Sequence, residues 1–536
     1  MKTSLFFLHF LVLSLFPLKS SSSARTEAQP LVQWKNTLPP SSSLNSWSLS
    51  NLRNLCRWTG SRCNTVGSVS EMDLSDASLS GTIEKLDFDS FQNLTSLNHS
   101  GNNFSGSIPS GIGSLSRLVF LDLSNNVLEG SIPTEIEYLD FSSNFLETSD
   151  WSMIPSFSLL KHLSFNYNEL HLGFPGFVSG CLNLTFLDLS KNHLIGPVLE
   201  SLFNNLVKLE YLNLTENSFE GPLSTNLTKL SKLKDLRLAN NSFTGYILDS
   251  ISLISDLQIL ELLGNYFQGN IPASLGQLRR LRALAQNSIT GSLPLSLSNL
   301  TNLYELGLSD NNLSGEISPH FLSNWTKLTS LQIQNNSFTG ELPSEIGLLT
   351  NLSYLFLYKS AFSGSIPPKV GNLRNLLNLD LSTNYFSGEI PRTIRNLTNL
   401  SLLHLYSNNL TRTIPPMIGD LHGQLPESIS NLVKLNTLSV FTNNLSGILP
   451  RELGRNSPSL ASVSFSNNGF SGELPPGLCS GFALNQFTVN NNNFSRLLPD
   501  YFKNCTSLTK LQLEGNRFSG NISDAFGVHP NGSPQL

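Results

Sequence analysis

The sequence predicts an α/β solenoid in which short strands, one per repeat, line one concave wall as a parallel sheet. Three observations predict it. A marker asparagine recurs from Asn102 to Asn516 at intervals of mostly 24 or 25 residues. Ahead of each marker stands a Leu-x-Leu alternation, as in Leu121-Asp-Leu-Ser-Asn-Asn126 and Leu379-Asp-Leu-Ser-Thr-Asn384. Such an alternation sends leucines to one face and polar side chains to the other. Finally, only 13 % of the residues are charged, with 33 basic, 38 acidic and a net charge of −5. That is about half the ~25 % of an ordinary soluble chain, so Asn, Ser and Thr of the repeat phrase keep the surface wet. The balance supplies no basic face for nucleic-acid phosphates. It also excludes a charge-rich coiled coil or a highly charged disordered tail.

The N-terminus sets the compartment. Lys2, an apolar run from Leu5 to Leu18, serines and Ala24 follow the pattern of a secretory signal peptide, residues 1–24, cleaved after Ala24. The run is shorter than the ~20 residues that a membrane span needs. The chain is therefore expected to enter the secretory pathway and reach the extracellular space. In that oxidising compartment the five cysteines should include disulfides and leave one thiol over.

Residues 69–523 carry about 19–20 repeats. One repeat cannot bury its own leucines, so neighbours must stack into a continuous core. The marker asparagine sits just past the strand, where the chain turns inward. A buried amide must be hydrogen-bonded and carries both donors and an acceptor. We therefore expect a ladder in which each amide ties backbone groups of adjacent repeats. Ala77 and Ser360 hold the marker position without an amide. The interval from Asn126 to Asn144 is 18 residues, with the outer segment missing near Ile136-Glu-Tyr-Leu139, and this repeat is expected to be strained. From Asn265 to Asn287 it is 22, at the cost of a core leucine, and from Asn408 to Asn443 it is 35. A half-repeat cannot add a strand, so the last reads as an insertion around Met417 to Gly423, or as lost sequence.

The full phrase, Leu-x-x-Leu-x-Leu-x-x-Asn-x-Leu-Ser-Gly-x-Ile-Pro, resembles the plant extracellular leucine-rich repeat. The segment 25–68, with Leu31-Val-Gln-Trp-Lys, Trp47 and Cys56-Arg-Trp-Thr-Gly-Ser-Arg-Cys63, is similar to the N-terminal cap of plant leucine-rich-repeat receptor-like kinases. The resemblance implies a plant-type superhelix, a Cys56–Cys63 disulfide stapling the cap, and a polar Ser61 where the family has an aliphatic side chain. After Ser523 the tail 524–536 shows no second capping cysteine pair, and no kinase signature occurs. The chain thus resembles a receptor-kinase ectodomain ending before its C-terminal cap, membrane span and kinase.

No catalytic constellation stands out. His99, His162 and His404 fall on repeat positions without partners at ligand or triad spacing, and His99 fills a core leucine slot as a satisfied structural histidine. Carboxylates are scattered singly rather than paired. The expectation is a non-enzyme with no cofactor and no metal. Cys479 and Cys505 are 26 residues apart, close to one repeat, which leaves two readings open, a bridge or two buried thiols. Cys181 shares the phase of Cys505 and is expected to be buried and inert.

Twenty Asn-x-Ser/Thr sequons occur, among them Asn93, Asn98, Asn183, Asn213, Asn226, Asn299, Asn324, Asn351, Asn396, Asn444 and Asn521, and in a secreted protein the exposed ones should carry glycans. Some arise only because Asn-Leu-Ser/Thr fits the phrase. Asn213 points outward from mid-strand, where a sugar would block the concave face. Binding is read from outward strand positions. Most hold small polar residues, but Tyr354, Phe356, Tyr358 and Lys359, then His404 and Tyr406, then Phe441 break the rule. With the insertion reading, Tyr358, Ser382, Tyr406 and Phe441 share one column and would stack on consecutive rungs. Exposed aromatics among polar neighbours are typical interface anchors; the alternative is plain surface variation.

The resemblance implies a cell-surface recognition module that binds a peptide or protein ligand on its concave face, with a leucine-rich-repeat co-receptor, in a parent at the plasma membrane. The alternatives are a secreted inhibitor similar to the polygalacturonase inhibitors, or a truncated product without function.

Overall fold

A computed structural model describes residues 20–129, 137–147, 151–152, 156–278, 284–413, 432–455, 457–479, 481 and 483–526. Residues 1–19 of the leader, the core of the proposed insertion and the last ten residues lie outside them. The chain divides into two units, Met1–Ser242 and Phe243–Leu536. No helix among the described residues is long and apolar enough to cross a membrane.

The first unit opens with the helix Ser20–Lys35 and a cap built on tryptophan. Trp34, Trp47 and Trp58 are all buried, with ring centroids 6.0 and 6.1 Å apart along the series. Each indole N–H finds a carbonyl: Trp34 donates to Thr82, Trp47 to Thr59 and Trp58 to Asn51, as buried indoles require. Cys56 and Cys63 are disulfide-bonded, with Cα atoms 5.1 Å apart. Ser61 is buried and its hydroxyl has no partner, the physical cost of a polar side chain at an aliphatic site. Strand Ser61–Cys63 pairs antiparallel with Val69–Asp73. From there Ser96–Asn98, Phe120–Asp122, Tyr138–Asp140, His162–Ser164, Phe186–Asp188, Tyr211–Asn213 and Asp235–Arg237 follow in parallel, in sequence order.

In the second unit nine parallel strands run in sequence order from Glu305–Gly307 to Lys510–Gln512. Connections in both units are mostly single 3-10 turns such as Pro368–Asn372 and Arg392–Asn396, with short α-helices at Glu200–Asn205 and Pro319–Asn324. A second row of parallel strands forms where the sequence reads Leu-Ser-Gly. In the second unit it runs Ser387–Gly388, Asn409–Thr413, Asn444–Ile448, Gly469–Gly472, Asn493–Leu497 and Arg517–Ser519. The sequence reading had one sheet only. Phenylalanines two residues past the marker stack beneath this row, as Phe338, Phe362 and Phe386 do at 6.1 Å.

The asparagine ladder is present and doubly bonded. Asn384 Nδ2 donates to Leu357 O of the preceding repeat and to Leu381 O and Ser382 O of its own, while its Oδ1 accepts from Phe362 N. Asn126 repeats the pattern with His99, Leu123, Ser124 and Phe104. The residue just before the marker takes the left-handed conformation, Asn125 at φ 52° and Thr383 at 54°, where a side chain is strained. Ser360 breaks the ladder: its hydroxyl is buried without a partner. A second ladder runs along the flank, where Asn351 donates to Thr326 O, Asn375 to Thr350 O and Asn399 to Arg374 O.

The 18- and 35-residue intervals keep the neighbouring strands paired, whereas at the 22-residue interval no strand among the described residues joins Ile259–Glu261 to Glu305–Gly307. Across the 18-residue interval, Tyr138–Asp140 pairs in register with both neighbours, and Leu139 and Phe141 are fully buried; residues 130–136 lie outside the described ones. Asn287 keeps its ladder bonds to Leu262 O and Phe267 N. Leu402–His404 pairs directly with Thr437–Ser439, so the 35-residue interval adds no strand between these rungs. Cys479 and Cys505 form the bridge, with Cα atoms 5.3 Å apart, and Cys181 is a buried free thiol whose pKa burial raises. In the last rung Leu508, Leu513 and Phe518 are only half-buried, whereas Leu484, Val489 and Phe494 one rung earlier are covered.

One expectation fails. His99 does fill a leucine slot, fully buried, but neither ring nitrogen has a hydrogen-bond partner. It is held by stacking on Trp34, 5.4 Å away with planes 9° apart. Burial pushes its pKa down to about 3, so the ring is neutral.

Candidate ligand-binding faces

Residues six, four and two places before each marker asparagine leave the strand on the face opposite the leucines, so register stacks them into three columns. In the second unit, Tyr354, Asn378, Leu402 and Thr437 are aligned in the first, and Phe356, Asp380, His404 and Ser439 in the second. Tyr358, Ser382, Tyr406 and Phe441 follow two residues on, as the third. The column predicted from sequence is therefore correct in register. Its stacking is interrupted. Tyr406 and Phe441 lie face to face at 4.4 Å with planes 8° apart, but Ser382 is fully buried between Tyr406 and Tyr358, and its hydroxyl bonds Asp380.

Two aromatic groups result. Tyr354, Phe356 and Tyr358 sit 6.3 and 6.4 Å apart along one chain segment, with Tyr354 exposed. Burial and the carboxylates of Asp310 and Asp380 raise the pKa of Tyr358. His404 meets Tyr406 edge-on at 5.5 Å, and its Nδ1 lies 3.0 Å from Asp380 Oδ2. Asp380 thus fixes both Ser382 and His404, the polar link between the two groups. Lys359 is exposed beside them in the left-handed conformation.

The first unit carries a longer ring array that the sequence reading missed. Phe120, Tyr138, His162, Phe186 and Tyr211 occupy one column on five consecutive strands. Their centroids are 4.3, 4.1, 4.1 and 4.3 Å apart, and no pair of planes departs from parallel by more than 13°. Arg237 closes the end, 5.7 Å over Tyr211, while forking to Asp235. The next column holds Asp122, Asp140, Ser164, Asp188 and Asn213. One oxygen of each carboxylate is tied to a serine two residues on, Ser124, Ser142 and Ser190. Burial raises the pKa values of Asp122 and Asp140, and the charge of Asp188 adds to the rise at Asp140. Burial pushes His162 down to about 4, against the pull of Asp122 and Asp188. Tyr211 is pushed up to about 12 by burial and by Asp188. Subtracting six from markers 126, 144, 168, 192 and 217 gives the whole ladder, so the signal was present in the sequence.

The sequons divide by access. Asn299, Asn324, Asn351, Asn444 and Asn521 are exposed, and Asn93, Asn98, Asn183, Asn226 and Asn396 half-buried. Asn213 is buried, with its amide nitrogen donating to Asp188 Oδ2 and Ser190 Oγ. Asn183 and Asn351 spend their amides on the flank ladder. Among the described residues no group of three or more His, Cys, Asp or Glu side chains is placed to hold a metal.

Stacked strands, an asparagine ladder, a disulfide-stapled tryptophan cap and ring-bearing sheet faces define a leucine-rich-repeat solenoid. The Leucine Rich Repeat family model matches residues 117–139, 183–205, 302–324, 327–349, 375–397, 399–432, 459–480 and 507–528. The chain belongs to this family and is homologous to the ectodomains of plant leucine-rich-repeat receptor kinases. It is 38% identical over 296 residues to the serine/threonine-protein kinase BRI1-like 1 of Arabidopsis thaliana, covering 53% of this chain and 23% of that protein. To the receptor-like kinase RGI4 of the same plant it is 39% identical over 107 residues, 20% of this chain and 10% of that one. The matched part thus spans a quarter or less of these curated relatives. Among solved structures, the plant peptide hormone receptor RGFR1 in complex with RGF2 aligns with a TM-score of 0.70 at 32% identity, over 87% of this chain and 84% of that one. The Arabidopsis receptor kinase HAESA, in complex with the peptide hormone IDA and the co-receptor SERK1, aligns with 0.72 at 30% identity, over 94% and 96%.

Proposed function

We propose that this chain is the extracellular recognition module of a plant receptor-like kinase, binding a peptide or protein ligand on its sheet faces and, through it, a leucine-rich-repeat co-receptor. It acts in the secretory pathway and at the cell surface, as a binder rather than an enzyme. The observation that carries this reading is the ring-bearing patch of Tyr354, Phe356, Tyr358, His404, Tyr406 and Phe441 on a face otherwise lined with small polar side chains. Such rings add contact area at little conformational cost, which suits them as anchors. The homologous receptors solved with RGF2 and with IDA support a peptide as the ligand class.

The test immobilises the secreted, glycosylated chain and titrates synthetic RGF2 and IDA peptides together with a diverse panel of 12-residue peptides. Saturable capture that Tyr358→Ala and Tyr406→Ala together abolish, at unchanged melting temperature, supports the reading. Capture with unchanged affinity in that variant removes the patch from it, and no capture of any peptide removes a peptide as the ligand.

A further inference from the structure

Charge in this chain is unevenly divided. Its net charge is −5, yet the cap, residues 25–68, carries five basic residues against one acidic residue, Glu27. Glu27 is buried, with its carboxylate on Val69 N, so the charge that the cap presents to solvent is positive. Arg53, Arg57 and Arg62 are exposed. Among the described residues Arg53 and Arg57 have no acidic partner, and Arg62 meets Glu71 at 3.2 Å in an exposed pair, which is worth little. The Cys56–Cys63 bridge gathers these arginines. Arg57 follows Cys56 and Arg62 precedes Cys63, whose Cα atoms are 5.1 Å apart, so at ~3.8 Å per residue the two arginine Cα atoms lie within ~13 Å. Arg53 stands four residues earlier in the same segment, Leu49–Arg57. Beside them the surface is hydroxyl and amide: Asn54 donates to Asn51, and Ser48 meets Ser50. The cap's only rings, its three tryptophans, are buried, and its exposed large apolar side chains are Leu49 and Val66. None of the twenty sequons falls in the cap, the first being Asn93, so no N-glycan is attached there.

From this arrangement we propose that the cap binds a carboxylated polysaccharide, a polyuronate, along Arg53, Arg57 and Arg62. A guanidinium forks to a carboxylate and is weakly hydrated, so it gives up water at lower cost than an ammonium. A polyuronate carries one carboxylate on each sugar ring, which lets a single chain meet several arginines in turn. Its ring hydroxyls both donate and accept, as do the side chains of Ser48, Ser50, Asn51 and Asn54. A protein partner fits less well, because interface anchors are mostly aromatic and the cap's rings are all buried. An anionic membrane fits less well for the same reason, since interfacial anchoring relies on exposed tryptophan and tyrosine. One arginine–carboxylate contact at the surface is weak, but contacts strung along one polymer reinforce each other through effective concentration. The rest of the chain is acidic, so it repels the same polymer and directs it to the cap. The site uses no residue of either ring-bearing sheet face and does not depend on their reading as peptide-binding surfaces.

The probe is immobilised polygalacturonate, with its methyl-esterified form and phosphatidylserine vesicles beside it. It is read with the full secreted chain, with Arg53→Gln/Arg57→Gln, with Arg53→Lys/Arg57→Lys, and with Arg374→Gln/Arg392→Gln, which removes the same charge from two exposed arginines of the second unit. The expected result is retention on polygalacturonate that weakens as salt rises and is lost on the methyl ester. Affinity falls about tenfold or more in Arg53→Gln/Arg57→Gln, falls by a smaller factor in the lysine variant, and is unchanged in Arg374→Gln/Arg392→Gln. No retention, equal retention on the ester, or unchanged affinity in Arg53→Gln/Arg57→Gln at unchanged melting temperature overturns the proposal. An equal loss in Arg374→Gln/Arg392→Gln overturns it too, since net charge and not the cap would then do the binding. Full affinity in the lysine variant overturns the guanidinium assignment. Binding to the vesicles as tight as to polygalacturonate overturns the polyuronate as the partner.

Discussion

The imidazole of His99 lies flat on the indole of Trp34, 5.4 Å apart, and so joins the cap to the repeat core without a single hydrogen bond from either ring nitrogen. Elsewhere in the cap, Glu27 is buried and its carboxylate accepts from Val69 N at 3.0 Å. The two groups respond to pH in opposite senses. Burial lowers His99 from 6.5 to about 3, outweighing Asp73, so the folded state binds fewer protons there. Its contribution is full above 6.5 and is lost as pH falls toward 3. Burial raises Glu27 from 4.5 to about 7, so its contribution is full below 4.5 and is lost as pH rises through 7.

Between pH 4.5 and 6.5 the two slopes oppose one another, each up to about 1.4 kcal/mol per pH unit. Removing one should expose the other. Glu27→Gln is expected to gain stability relative to the wild type as pH rises across that window, and His99→Leu to lose it. Tryptophan fluorescence during urea unfolding reports on the cap cluster of Trp34, Trp47 and Trp58 together with the chain's two other tryptophans. Parallel profiles for wild type and both variants would remove the linkage.

The gap in the asparagine ladder at Ser360 gives a second prediction. Every neighbouring marker supplies three donated bonds and one accepted bond, whereas Ser360 leaves a buried hydroxyl unpaired. Ser360→Asn should restore the rung and raise stability by about 1–2 kcal/mol, the net value of a restored buried bond together with relief of an unsatisfied group. Asn384→Leu, which strips Leu357 O and Phe362 N of their partner, should cost about 2–4 kcal/mol on the same grounds. Chemical denaturation of the two variants decides it; equal midpoints would mean that the ladder amides are dispensable.

Much of this fold is written in the period. The Leu-x-Leu alternation fixes which side chains face the core, and the marker asparagine fixes the rung, so even the column of Tyr358, Ser382, Tyr406 and Phe441 follows from counting. What counting did not give is local. That column does not stack throughout, because Ser382 turns its hydroxyl to Asp380 instead of standing as a spacer of ring width. The first unit's ladder is masked in the sequence by the 18-residue interval, which hides the common phase of its rings six places before each marker. His99 looked satisfiable because the slot, and not the neighbours, is what sequence specifies. The indole that covers it comes from 65 residues away.

The Cys479–Cys505 bridge ties two adjacent rungs near the end of the array, where Leu508 and Leu513 are less well covered than their predecessors. It closes a loop of 26 residues, for which loop entropy alone implies about 3.5 kcal/mol. Cys479→Ala with Cys505→Ala should therefore lower the stability of the second unit by roughly 2–4 kcal/mol and raise proteolysis there first. The first unit, whose disulfide is Cys56–Cys63, should be unaffected. Limited proteolysis with mass mapping checks both halves; first cleavage within the first unit would contradict the assignment.

The most discriminating prediction concerns Asn213, a sequon on a sheet face. Its amide nitrogen is the atom that a glycan would take, yet it donates to Asp188 Oδ2 and Ser190 Oγ at 3.1 Å each and the residue is buried. A sugar there would leave Asp188 one partner short and would cover the end of the ring ladder at Tyr211. Asn299 and Asn444, by contrast, are exposed. Occupancy mapped by mass spectrometry after enzymatic release in heavy water should be high at Asn299 and Asn444 and absent at Asn213. If Asn213 stays bare, Asn213→Gln should leave the glycan mass unchanged while weakening the bond to Asp188. If Asn213 is found occupied, its strand must open during modification, and the bond from its amide to Asp188 is then not a fixed part of the native face.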